Sequence, residues 1–223
     1  APSPTGFIHL GNLYNATICE RLVKQSNGVF FLRIEDTDSK REVSGAVEII
    51  IKSMDYFGIS FDEGAIQKGD NGDYGPYRQK TRKEIYQTFA KQLVSRGLAY
   101  PCFCTEKQLS EIRERQKEEK TSIGYYAKWA IDRDMPYELI EENIKKGMPF
   151  VTRFKSNGKP GNVVALHDAI KGELKLEENY LDVILLKSNG IPTYHFAHVV
   201  DDHLMRTTHV IRGEEWLSSV PIH

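Results

Sequence analysis

Val29-Phe30-Phe31-Leu32-Arg33-Ile34-Glu35-Asp36-Thr37-Asp38 (29–38) is an apolar, β-rich run that halts at an acidic cluster. Six residues of this kind in a row read as a buried strand rather than a half-exposed one. The halt has a chemical meaning: in open α/β sheets, ligands bind outside the carboxyl ends of the strands. Three acids within four residues repel one another unless donors or cations lie close by. Taken alone, the cluster also fits a solvated turn in which Asp36 or Asp38 caps the next helix, or a Mg²⁺ site.

The flanks agree with a buried strand. Upstream, Leu13, Ala16, Cys19 and Leu22/Val23 recur at helical spacing from Asn12 to about Gln25, and Asn27-Gly28 ends the run. Downstream, Val43, Val47, Ile50, Ile51, Met54 and Phe57 mark a second amphipathic helix, closed by Gly58. Helix, strand, acidic loop, helix is the order of a parallel sheet covered by helices, and so of an α/β fold. Residues 64–76 are rich in Gly and Asp and read as a loop, and a helix is expected over 81–96.

Beyond Pro101 the texture changes. Thr105 with Gln108 forms a capping-box pattern for a charged helix reaching about Lys120. A short helix is expected over 136–146 and strands at 150–154, 162–166 and 183–186, so 100–186 reads as an insertion. Pro192-Thr193 then opens another helix, and His209-Val210-Ile211-Arg212 reads as a strand returning to the first sheet.

Composition excludes several classes. The chain has 223 residues, 30 Lys plus Arg against 31 Asp plus Glu, and a net charge of -1. Contact with nucleic acid must therefore come from a local patch. Three cysteines argue against a disulfide framework and fit a reducing, cytoplasmic setting. No apolar run reaches the length of a membrane span. Both ends read as cut from a longer protein.

Four constellations carry chemistry. His9-Leu10-Gly11-Asn12 precedes a helix whose N-terminus suits phosphate; Gly11 lets a base approach the backbone, and His9 could donate to a phosphate oxygen. Glu35-Asp36-Thr37-Asp38 closes the strand. In Pro192–His203, Tyr194 and His198 share a helical face as a polar wall. Three histidines there invite a zinc reading, but no general-base glutamate follows the first of them as a zinc-hydrolase motif requires. In His209–Trp216, Arg212 could grip a carboxylate bidentately and Glu215 could accept from a ribose hydroxyl, while Trp216 alone reads as core.

These pieces, with Ala1-Pro2-Ser3-Pro4-Thr5-Gly6 and Gly75-Pro76-Tyr77-Arg78-Gln79, resemble glutamyl-tRNA synthetases of bacterial type, in the order and approximate spacing of that class I family. The resemblance implies a Rossmann-type catalytic domain at 1–99 and 187–223, with an inserted α+β acceptor-stem-binding subdomain at 100–186. It implies activation of L-glutamate by ATP with Mg²⁺, followed by transfer to tRNA(Glu), in a monomeric cytoplasmic enzyme. His9, Gly11, Asn12, Glu215 and Trp216 match ATP-contacting positions, with His9 and Gly11 in the catalytic signature. Ala1, Ser3, Glu35, Tyr194, His198 and Arg212 match glutamate-holding positions, Arg212 taking the side-chain carboxylate. His198 departs from the Asn frequent in relatives. The signature lysine loop and the anticodon-binding region fall outside the sequence, so the piece alone is expected to catalyse little. Cys102 and Cys104 match one half of the zinc site of some relatives. Trp129 and Ile131 stand where the other half would be, so no metal is expected there. A glutamyl-queuosine tRNA(Asp) synthetase is the nearest alternative, disfavoured by the long charged insertion. A non-catalytic tRNA- or nucleotide-binding module and a small-molecule nucleotidylyltransferase are the others.

Overall fold

The computed structural model describes residues 1–6, 8–38 and 41–223. The chain divides into two compact units, 1–85 with 197–214 and 86–196 with 215–223.

In the first unit, helix α1 (Leu10–Ser26) leads to strand β1 (Phe31–Leu32), helix α2 (Ala46–Tyr56) and strand β2 (Glu63–Ala65). β1 and β2 pair in parallel, with Phe31 opposite Glu63, so β1, α2 and β2 make one crossover unit. Asn27 ends α1 in the left-handed conformation, as the Asn-Gly signal predicts. Leu13 of α1, Ile50 and Met54 of α2, and Leu32, Ile34, Tyr77 and Met205 form one buried cluster. The helical spacing of these apolar positions thus reports a real core face.

Three expectations need correction. The strand at 29–34 is shorter than its apolar run: Ile34 makes only an isolated parallel bridge to Arg78. Residues 64–76 are not all loop: β2 turns back antiparallel onto strand β3 (Asp70–Asn71). Gly64 makes this close pairing possible. Its φ is +134°, and a Cβ there would lie 2.4 Å from the Leu32 carbonyl oxygen. Finally, residues 207–213 form no strand. Val210 is exposed, and the Ile211 carbonyl accepts from Asn15 Nδ2 of α1 (3.3 Å), a side-chain partner in place of a ladder.

The second unit is of mixed type. Helix α3 (Lys83–Ser95) begins in the first unit and runs into it. Strand β4 (Ala99–Cys102) pairs antiparallel with β5 (Val151–Phe154), which pairs with a later strand, Ile184–Leu186. Helix α4 (Glu106–Glu118) starts at the predicted capping box: Gln108 N donates to Thr105 Oγ1 (3.3 Å), and Thr105 N donates to Gln108 Oε1 (2.9 Å). Helix α5 spans Tyr137–Lys145. Strands β6 (Val163–Asp168) and β7 (Gly172–Glu177) form a separate hairpin, and the strand at 184–186 is β8. β7 escapes the sequence reading because Glu173, Lys175 and Glu177 break up its apolar positions. Helix α6 (Tyr194–Leu204) starts after Pro192-Thr193 as predicted.

Asp182 organises this unit. Fully buried, it accepts from Tyr100 Oη (2.7 Å), Ser156 N (2.9 Å) and the Arg133 guanidinium. Buried carboxylates persist only when paired and hydrogen-bonded in this way. Around Cys102, the second unit buries Tyr125 and Trp129. The Cys102 thiol donates to Tyr125 Oη (3.4 Å), and Arg115 and Lys128 lie over the Trp129 ring. Burial, with Cys102 alongside, pushes the Cys104 thiol up to about 11.

Candidate active site

The first unit carries a polar centre built on three pieces: the end of β1, the 3-10 turn at Gln79–Arg82, and α6. Arg33, just past β1, is buried at 3 % exposure. Its Nη1 donates to Asp202 Oδ1 (2.8 Å), and its Nη2 lies 3.1 Å from His198 Nδ1. Asp201, fully buried, accepts from Arg82 Nε (2.7 Å) and Gln79 Nε2 (2.8 Å), with Arg33 Nε at 3.7 Å. Two adjacent aspartates on α6 thus hold two buried guanidiniums, the pairing such charges require. Burial acts to raise the Asp202 acid, but His198 and Arg33 outweigh it and hold the group down to about 2.

Arg212 enters this centre from the extended segment that sequence reasoning took for a strand. Its Nη2 contacts His198 Nε2, while its Nη1 is buried without a hydrogen-bond partner among the described residues. An orphaned buried guanidinium nitrogen is costly and asks for an anion from outside the chain.

Glu35 follows directly on this strand end, its N–H donating to the Pro2 carbonyl (3.0 Å). That bond ties the Ala1–Ser3 segment to the same edge. Burial pushes the Glu35 carboxyl up to about 7, against the pull of Arg33 and Arg41. Asp36 is raised by burial as well, although Lys80 N donates to its Oδ1 (2.7 Å). Asp38 pairs with Arg41 (2.6 Å). The acids of the cluster are therefore engaged separately, and among the described residues no three metal-binding side chains converge.

His9 is the N-cap of α1 and is exposed; Gly11 and Asn12 lie inside the first turn rather than before it. A Cβ on Gly11 would sit 3.1 Å from His9 Cε1, so glycine keeps the ring against the helix start. The first N–H groups of a helix have no intrahelical partner and suit an anion, although Asn12 N here already donates to the His9 carbonyl (3.0 Å). The Asn15–Ile211 bond fastens the same helix beside Arg212, six residues and about 9 Å along the axis from His9.

Of the remaining predicted residues, Tyr194, Glu215 and Trp216 belong to the second unit. There the rings of Tyr194 and Trp216 lie 5.2 Å apart, so Trp216 stacks rather than joining a core, and it stays 40 % exposed. Sequence reasoning missed Arg33, Gln79, Arg82, Asp201 and Asp202. Their one signal was placement: charged residues in a buried run, and acids at the far end of an apolar helix. A cavity of about 260 Å³, lined by Ile51, Lys52, Asp55 and Phe61 among others, shares no residue with this centre.

Residues 1–223 match the family model described as tRNA synthetases class I (E and Q), catalytic domain. A glutamate–tRNA ligase of Acetivibrio thermocellus is 60 % identical over the whole chain, which covers 41 % of that protein. One of Clostridium beijerinckii is 55 % identical, with 40 % of it covered. The chain thus spans about two fifths of the length of these relatives. Among solved structures, a glutamate tRNA ligase from Elizabethkingia meningosepticum in complex with its amino acid superposes with a TM-score of 0.88 at 37 % identity, over 99 % of this chain and 44 % of that one.

Proposed function

Since the chain belongs to the class I tRNA synthetases for E and Q, as part of the catalytic domain, we propose that its protein is a glutamate–tRNA ligase. It activates L-glutamate with ATP and passes the glutamyl group to tRNA(Glu), as a cytoplasmic monomer. The buried Arg212 Nη1, without a hydrogen-bond partner among the described residues, carries the choice of an acidic amino acid. A neutral glutamine side chain would leave that guanidinium without a counter-charge, a heavy penalty in a buried site.

In this reading Arg212 takes the side-chain carboxylate, with His198 as a wall. Glu35, with the Ala1–Ser3 segment, holds the amino group and backbone. ATP lies with its phosphates at the start of α1, where His9 donates to the α-phosphate as negative charge grows on it, and Gly11 and Asn12 form the floor. The glutamate α-carboxylate attacks the α-phosphate; the new C–O–P bond replaces the bond to pyrophosphate, which leaves. Positioning and charge stabilisation carry the step without a covalent enzyme intermediate. Mg²⁺ bound with ATP would supply screening of the phosphate charge. Residues 100–186 serve as the acceptor-stem-binding subdomain.

The test is glutamate-dependent ATP–pyrophosphate exchange by the full-length protein with tRNA present. Exchange with glutamate and not glutamine is the expected result; exchange with neither removes the proposal.

A further inference from the structure

We infer that Asn15 is a positioning residue for Arg212: its side-chain amide, carried on α1, fixes the peptide plane from which that guanidinium reaches the acidic side chain. The inference deepens the glutamate-pocket reading and rests on it for its ligand.

Arg212 has no sheet to hold it. Residues 207–213 form no strand, so the placement of this segment falls to individual bonds. It is strung between two posts. At its start, Thr207 N donates to the Asp202 carbonyl of α6 (2.9 Å). Near its end, the Ile211 carbonyl accepts from Asn15 Nδ2 (3.3 Å). The second post matters because of where it attaches. The Ile211 carbonyl lies in the same planar peptide unit as the nitrogen and Cα of Arg212. Fixing that oxygen limits the direction in which the arginine leaves the backbone. Arg212 Nη1 is buried without a hydrogen-bond partner among the described residues. A change of direction therefore moves the donor that an incoming carboxylate needs.

The amide is itself oriented. Its Oδ1 accepts from the Cys19 thiol, one turn further along α1 (3.4 Å). Burial raises the Cys19 acid, so the group stays a thiol and a donor at neutral pH. Turned over, the amide would set Oδ1 against the Ile211 carbonyl, acceptor against acceptor. The helix that carries it is anchored on both sides of Asn15. Leu13 packs into the buried cluster of the first unit. Glu20, 3 % exposed, accepts from Ser60 N (3.1 Å) and Lys24 Nζ (2.8 Å). Asn15 itself is only partly buried, so its replacement leaves the core intact.

The test uses the full-length protein. Asn15→Ala removes the amide, and Asn15→Asp keeps its shape while withdrawing the donor. In pyrophosphate exchange with tRNA present, each should raise the KM for glutamate about fivefold and leave the KM for ATP unchanged. Neither should add to the loss in the Arg212→Gln background. A second readout needs no activity: modification of arginines by phenylglyoxal, followed by peptide mass spectrometry. Arg212 should react faster in both variants than in the wild type, while Arg33 and Arg82 keep their rates. Equal rises in the two KM values, effects that multiply with Arg212→Gln, or an Arg212 reactivity unchanged by both substitutions would overturn the proposal. Absence of glutamate-dependent exchange by the wild type would instead sink the functional reading, and the modification rates would still decide the role of Asn15.

Discussion

Arg212 and Glu35 answer to different parts of one amino acid, and their chemistry separates in experiment. Arg212→Gln removes the counter-charge of the ligand's side chain. Loss of a buried, hydrogen-bonded charge pair costs about 3 kcal/mol, so the KM for glutamate should rise roughly 100-fold in pyrophosphate exchange, with the KM for ATP unchanged. Glu35 must be ionised to hold an ammonium, yet burial sets its acid near 7. As pH falls through 7 the carboxyl protonates and amino-acid binding weakens. The KM for glutamate should therefore climb with a one-proton slope below pH 7, and Glu35→Gln should flatten that slope. The sign for stability is opposite. A carboxyl whose folded value lies above its ordinary 4.5 favours the folded state below that value and loses this contribution as pH rises through 7. His9 touches the phosphate end: His9→Ala should lower the rate of adenylate formation by about 10²-fold without moving the KM for glutamate. A comparable change in both would make His9 a structural cap.

At the scale of elements, β1 and β2 meet through Gly64. A methyl group at its φ of +134° would run into the Leu32 backbone, so Gly64→Ala should cost about 3 kcal/mol or more, read as a lowered urea midpoint. The elements legible in the sequence were those with a strong period or a chemical stop: α1 with its Asn-Gly end, α2 with its apolar stripe, and α4 with Thr105 and Gln108. β1 was legible as a place but not as a length: the Phe30 carbonyl still accepts from Asp62 N (2.7 Å) and Glu63 N (3.4 Å), yet only Phe31 and Leu32 are paired with β2. The segment 207–213 was misread because Val210-Ile211 has strand-like residues, while its partner, the Asn15 side chain, is remote in sequence and local to no pattern. The same holds in the site. His198 and Arg212 stood out by residue type, whereas Arg82 and Asp201 declared themselves only when folding brought residues 119 apart to 2.7 Å.

At the scale of the whole molecule, each unit has a buried cluster and a polar hub of its own. The second relies on Asp182 and on the packing of Tyr125 and Trp129 about Cys102. Treatment with a zinc chelator should accordingly leave its melting temperature unchanged, a drop of several degrees being the contrary result. The first unit has a gap in its chain: Arg33 finds Asp202 only across 169 intervening steps of sequence. A ribosome delivers the arginine long before the aspartate. Until then the emerging 1–85 segment carries Arg33 and Arg82 without the carboxylates that later bury them, and its last piece must wait for synthesis to pass residue 214. Early folding of 86–196 would shorten the loop that has to close and so lower its entropic barrier. Maturation of the pocket is thereby placed after that of the inserted unit, and a nascent chain stalled before Asp201 should be open to proteases in its first 85 residues.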